Sequence, residues 1–369
     1  LIYKCDILIN KITVRTSNFE DNNFADSILK NINTVKTRLK QQLNRLKIAQ
    51  QYSITNTLIE YKNLSREIQL LEFYAVPAIH RCNEEDKYFN RILKHICNQI
   101  KYPLDPPFGS TLGQEYYFCY IPHNIILGPC LQAHSILNLP DLFHELGHFI
   151  FDYYKIYFID SISKKINDYF YIKSEEIKRN GGSQNILIML ERIKNNWNDP
   201  WLMEFSCDII ATYLTGVYYG WANLHLCANS ATKHSIYFPD LLNSEDSQHP
   251  SDDSRMQIIF YTLEEINESQ IITDIKNKWA SYVGSLNPVK PGNYDFFYPK
   301  ELQKLLITEI VFICRDLGLI DYSTNLKKQG PTNIITEIKI FWDTFLDDKQ
   351  NYSNFANQRL LNMKDIILK

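Results

Sequence analysis

Between residues 21 and 80 apolar side chains recur at steps of three and four: Ile28, Ile32, Val35, Leu39, Leu43 and Leu46, then Leu58, Tyr61, Leu64, Ile68 and Leu71 after a break at 53–56. A 3.6-residue period puts such positions on one stripe, so the pattern predicts a long helical hairpin, ended near Pro77. Residues 1–18 alternate instead, through Ile7, Ile9, Ile12 and Val14, and predict a strand. A short helix is expected over 88–101, then a loop marked by Pro103, Pro106, Pro107 and Gly109. The run 115–129 reads as a strand, a turn at Pro122-His123-Asn124 and a second strand. Two polar helices over 160–196 flank the turn at Asn180-Gly181-Gly182-Ser183. Asp199-Pro200 then opens a further helix, with Asp as cap and Pro at the first position. A helix follows from 256 to 267, and four more runs lie near 273–283, 300–317, 331–347 and 353–368. The fold class expected is mainly α with a small β-sheet.

Composition narrows the class of protein. The chain has 369 residues with 39 basic and 42 acidic side chains, a formal charge of −3, which gives no basic surface for nucleic acid and no polybasic membrane patch. Twenty-four Tyr and 20 Phe against only 12 Gly fit a helix-rich enzyme better than a β-sandwich. The eight cysteines are scattered without a C-x-x-C pair, so they read as buried thiols in a reducing compartment, neither a disulfide framework nor a thiolate zinc site. No run reaches the roughly 18 apolar residues a membrane span needs, and the N-terminus lacks a signal-peptide layout. A cytoplasmic location is therefore expected, although residue 1 is Leu rather than Met, which leaves open a segment removed upstream.

The chemistry concentrates at His144-Glu145-Leu146-Gly147-His148. On a helix the two histidines lie one turn apart and face the same way, so both imidazoles can close on one Zn²⁺. Glu145 lies about 100° further round, where its carboxylate reaches a metal-activated water without occupying a metal position. A four-coordinate catalytic zinc wants three protein ligands and an open position. Glu204, on the helix after Pro200, is assigned as the third. Asp208, one turn on, is expected to accept the Nδ1 proton of His144 and fix its tautomer. In the segment 247–256, His249 is a candidate donor to the oxyanion of a tetrahedral intermediate, and Arg255 a candidate brace for the third-ligand carboxylate. The predicted hairpin before the motif, with Tyr117, Phe118, Cys119 and Tyr120, is the candidate strand for holding an extended substrate backbone.

Three ordered segments, His144 to His148, Glu204-Phe-Ser-Cys-Asp208 and His249-Pro-Ser-Asp-Asp-Ser-Arg255, resemble gluzincin metallopeptidases of the CAAX-prenyl-protease and HtpX type. The resemblance covers roughly 110–265. It implies a zincin-like core in which His144, His148 and Glu204 hold one Zn²⁺ and Glu145 is the general base. The family's helix Asp maps to Asp208, and its late His and Arg map to His249 and Arg255. Without spans, this chain compares best with a soluble, minimal member decorated with helices. The expected domains are a helical region at 1–103, the metallopeptidase core at 104–270 and a helical cover at 271–369. Its partner would be a protein or peptide substrate. Two alternatives use the same residues differently: a helical interaction module that binds a partner protein through 21–76 and keeps an inactive or structural zinc, or a non-peptide zinc amidohydrolase.

Overall fold

A computed structural model describes residues 1–16, 22–48, 54–81, 83–111, 116–131, 135–230, 232–238, 249–267, 272–328 and 333–368. The protein is mainly helical with one small sheet. Packing divides it into two compact units rather than three consecutive segments: Leu1–Asn90 with Pro107–Cys130, and Arg91–Pro106 with Leu131–Lys369.

The first unit opens with α1 (Ile2–Thr16), where the sequence pattern had predicted a strand. The helical set Cys5, Leu8 and Ile12 is buried, whereas Ile7 and Val14 of the apparent alternation are exposed at 39% and 74%. The competing three-and-four spacing therefore decided the conformation. Helices α2 (Asn22–Ile48) and α3 (Ile54–Leu70) are the arms of the expected hairpin, and the turn expected at 53–56 falls partly outside the described residues. Pro77 does not end α3. The chain passes through a π-helical turn at Leu71–Ala75 into α4 (Val76–Arg81), and Pro77 sits in the first turn of α4, where its missing N–H is tolerated. Helix α5 (Glu84–Ile100) follows.

The sheet of this unit has three short strands, β1 (Phe108–Ser110), β2 (Phe118–Tyr120) and β3 (Ile125–Leu127), in the order β1-β3-β2. β3 runs parallel to β1 and antiparallel to β2, with Cys119 opposite Ile126. The predicted turn is a 3₁₀ turn at Ile121–His123 closed by Asn124 in the left-handed conformation, φ 51°. Ile28, Ile32, Val35, Ile68 and Leu71 bury their stripe against Ile125, Leu127 and Phe108, whose ring stacks on Phe24 at 4.2 Å.

The described part of the second unit has no strand and is built from α6 (Asp141–Tyr153), α7 (Lys155–Arg179), α8 (Gln184–Asn198), α9 (Pro200–Thr215), α10 (Val217–Ser230), α11 (Asp252–Glu265), α12 (Ile272–Leu286), α13 (Tyr294–Phe297), α14 (Lys300–Asp316), α15 (Tyr322–Leu326), α16 (Ile334–Asp347) and α17 (Tyr352–Leu368). Helix α9 is the axis. Nearly all its residues are buried, as expected of a helix apolar on all sides, and it packs against α6, α8, α10, α11 and α14. Asp199 occupies its N-cap position and Pro200 its first turn as expected, but the Asp199 side chain makes no capping hydrogen bond. Among the described residues no helix is long and apolar enough to cross a membrane.

One glycine sets the turn from α9 to α10. Gly216 has φ 62° and ψ −142°, a region closed to residues with a Cβ, and an added Cβ would lie 2.7 Å from the Tyr322 ring. Gly216→Ala is expected to cost ~1–3 kcal/mol of unfolding free energy through backbone strain, with an added penalty from that clash. Urea unfolding measures it. An unchanged midpoint would mean that the turn relaxes freely and does not fix α10.

Candidate metal centre

Helices α6 and α9 cross at Gly147. A Cβ there would sit 3.1 Å from Cys207 Cα and 3.3 Å from its Sγ, so any larger residue would force the neighbouring helix back by a few tenths of an ångström. The crossing brings the polar residues of the two helices face to face. His144 Nε2 lies 3.5 Å from Glu204 Oε2, and His148 Nε2 lies 3.7 Å from Glu204 Oε1. The imidazole rings are 4.8 Å apart and nearly perpendicular. Three ligand atoms about 2.0–2.2 Å from a tetrahedral zinc stand roughly 3.3–3.5 Å from one another, so these separations are close to the edges of such a site.

Glu204 Oε2 has no hydrogen-bond partner although it is buried. It comes within 3.1 Å of His249 Nδ1 without hydrogen-bonding geometry. A buried carboxylate oxygen left in this way, facing two imidazole nitrogens, is what a metal position requires of its donor set. Cys207, buried beside the pair, also brings its sulfur within 4.8 Å of nitrogen atoms of His144 and His148. The Nε2 atoms of the two histidines lie 3.5 and 3.7 Å from the Glu204 oxygens, and the Cys207 sulfur lies beside Gly147 at the helix crossing. Cys207 and Glu204 are thus the two candidates for a third donor beside His144 and His148.

Behind this set, Asp208 is fully buried and receives every group around it. His144 Nδ1 approaches its Oδ1 at 3.0 Å, and Tyr219 from α10 donates its hydroxyl to the same oxygen. Arg255 from α11 donates Nε to Oδ2 at 2.9 Å and a terminal nitrogen to Oδ1 at 2.6 Å. Burial alone pushes the Asp208 carboxyl up, but the Arg255 guanidinium outweighs it and holds the pKa at about 2. An ionised Asp208 fixes the Nδ1–H tautomer of His144, which turns Nε2 toward Glu204.

Burial likewise disfavours charge on His144, yet the carboxylates of Asp208 and Glu204 beside it outweigh burial and raise its pKa to about 10. His148 behaves oppositely: burial, reinforced by the charge on His144, lowers it to about 4, so its nitrogen is a free lone pair near neutral pH. Glu204 is driven well below the usual carboxylate range, because its contacts with His144 and His249 overcome the effect of burial. Asp141, one turn before Glu145, is pushed up to about 7, chiefly by burial.

The expected residues are not all arranged as the sequence suggested. Arg255 braces Asp208 and makes no ion pair with Glu204; it reaches the carboxylate one turn further along α9, where both its oxygens accept in parallel. His249 is exposed over two-thirds of its side chain and points Nδ1 at Glu204. Glu145 is the one residue of 139–151 that is not buried. Of the four substrate-strand candidates, Tyr117 turns inward against Phe89 and Gly128, Cys119 and Tyr120 are half-buried, and Phe118 is exposed. All four belong to the first unit, where β2 has β3 on one side and no strand on the other among the described residues. The described cysteines are all free thiols.

Tyr219 is the residue sequence reasoning missed. Its hydroxyl stands 3.1 Å from His144 Nδ1 and 3.3 Å from Arg255, and it lies eleven positions beyond Asp208, on the next helix. Its neighbour Tyr218 points elsewhere, to Asp343, so nothing local distinguishes the two tyrosines. Compared with models of protein families, with curated proteins and with solved structures, the chain matches none.

Arg255→Met tests the clamp. It leaves Asp208 buried without its countercharge, for an expected loss of ~3–5 kcal/mol in unfolding free energy. Metal affinity should fall about 10–100-fold, since His144 loses its fixed orientation. Urea unfolding and zinc titration of the same variant read the two effects, and wild-type values for both would remove Arg255 from the site.

Proposed function

We propose that the chain is a zinc-dependent metallopeptidase of the gluzincin type, resembling the CAAX-prenyl-protease and HtpX family. The observation that carries this reading is the meeting of the His144 and His148 Nε2 atoms with the two oxygens of Glu204 at 3.5 and 3.7 Å. One Zn²⁺ would be held by these three residues. When bound, zinc polarises a scissile carbonyl and lowers the pKa of water toward ~7.

Each nearby residue then has a chemical task. Asp208 holds the His144 imidazole in its metal-facing tautomer, and Arg255 and Tyr219 hold Asp208. Glu145, accessible where its neighbours are buried, takes a proton from the attacking water and passes it to the leaving amine nitrogen. His249, with an exposed ring at the Glu204 side, donates to the carbonyl oxygen as negative charge grows there. Protein or peptide substrates fit this machinery, and other amides share its chemistry. The interaction-module alternative keeps a smaller surface to work with, because Ile28, Ile32, Val35, Leu39, Leu64 and Ile68 of the α2–α3 stripe are buried in their own unit while Leu43, Leu58 and Tyr61 stay exposed.

Glu145→Gln is expected to retain zinc while peptide hydrolysis drops on the order of 10²–10⁴-fold. Glu204→Gln should instead weaken zinc binding, with activity falling in proportion to metal lost. Elemental analysis beside cleavage of an unfolded protein substrate separates the two. Full turnover by Glu145→Gln, or full zinc content without any hydrolysis by the unaltered chain, would defeat the proposal.

A further inference from the structure

A cavity of about 580 Å³ opens in the second unit between α7, α11, α13 and the start of α14, and none of the metal-centre residues lines it. Its volume is in the range of small-molecule sites. The walls are aromatic, with Tyr169, Phe170, Tyr261, Tyr294 and Tyr298, and the rim carries Lys173, Lys290 and Lys300. Lys290 lies over the Tyr294 ring at 4.2 Å, and Lys300 over Tyr261 at 5.5 Å.

Two groups in the cavity want a partner. Gln303 is 97% buried by its 3% exposure, lines the space, and its carboxamide makes no hydrogen bond among the described residues. At the same place α14, a helix of 17 residues, begins at Pro299 with no side-chain cap. The N–H groups of Lys300, Glu301 and Leu302 have no partner among the described residues and carry the positive end of the helix dipole.

Three acids, Asp253, Asp295 and Glu301, share this lining with the three lysines. Asp253 is occupied by Trp279 Nε1 and the Tyr294 hydroxyl, and the Asp295 side chain is 90% exposed beside Lys290. Lys173 is shared with Glu176, and Glu301 is exposed. What remains pointing inward is a helix N-terminus, lysine rims, tyrosine faces and one unpaired amide. We propose that this cavity binds a small phosphate ester carrying a flat ring, with the phosphate at the N-terminus of α14 near Lys300 and Gln303 and the ring among the tyrosines. Backbone N–H groups at a helix start suit a phosphate, and the aromatic walls suit a ring.

Isothermal titration of the full chain with phenyl phosphate, inorganic phosphate and phenol tests this. Phenyl phosphate is expected to bind one to one, about tenfold or more tighter than inorganic phosphate, with phenol showing no saturable heat. Gln303→Leu and Lys300→Met should each weaken phenyl phosphate about tenfold. Lys300 is exposed, so its variant stays folded even where the Gln303 change disturbs the interior. Absence of saturable phenyl phosphate binding, equal affinity for inorganic phosphate, or unchanged affinity in Lys300→Met would each overturn the assignment.

Discussion

A carboxylate with no access to water organises this molecule. Asp208 is 0% exposed, and removing an ionised group from solvent costs several kcal/mol unless nearly every lone pair is met. Here the partners come from three other helices: His144 on α6, Tyr219 on α10 and Arg255 on α11. Each of those helices must lie at a fixed height and rotation on α9 for its polar atom to arrive. The requirement works in both directions. Arg255 is mostly withdrawn from solvent and is held as a cation chiefly by Asp208, so each charge depends on the other.

The second constraint is steric and lies one turn away. Because Gly147 has no side chain, α6 settles against Cys207 closely enough for imidazoles on one helix to face a carboxylate on the other. A Cβ at this position would press the neighbouring helix back by a few tenths of an ångström, and the 3.5 and 3.7 Å separations at Glu204 depend on that spacing. The glycine inside the motif thus does structural work that the flanking histidines depend on, even though helix propensity alone disfavours it.

Much of this was legible in the sequence because the signals were local. The spacing of His144 and His148, and of Glu204 and Asp208, states a shared helix face without any tertiary knowledge, and the structure brings both pairs together. The two-strand hairpin around Pro122 and the C-terminal helices could be read for the same reason. The failures were of two physical kinds. In α1 two periodicities overlapped, and the pair Leu8 and Ile12, which prefers the helix, was outvoted by exposed residues that carry no packing energy. Tyr219 and the true partner of Arg255 depend on where α10 and α11 pass α9, which no local spacing encodes.

The first turn of α11 shows how far the demands of Asp208 extend. Ser251 caps this helix by accepting from Ser254 N, and its own N–H donates to the Tyr298 hydroxyl. Asp253 is gripped by Trp279 and Tyr294. Two residues on, and about 200° round the helix, Arg255 reaches to Asp208. A side chain as long as arginine has much rotamer freedom to lose, and a forked contact to both carboxylate oxygens tolerates little displacement of the backbone beneath it. Tying that turn down from the opposite side with three aromatic hydrogen-bonding groups removes the displacement. The tyrosine and tryptophan packing of the cavity side is therefore part of what keeps the His144 imidazole aligned, through α11, Arg255 and Asp208 in turn.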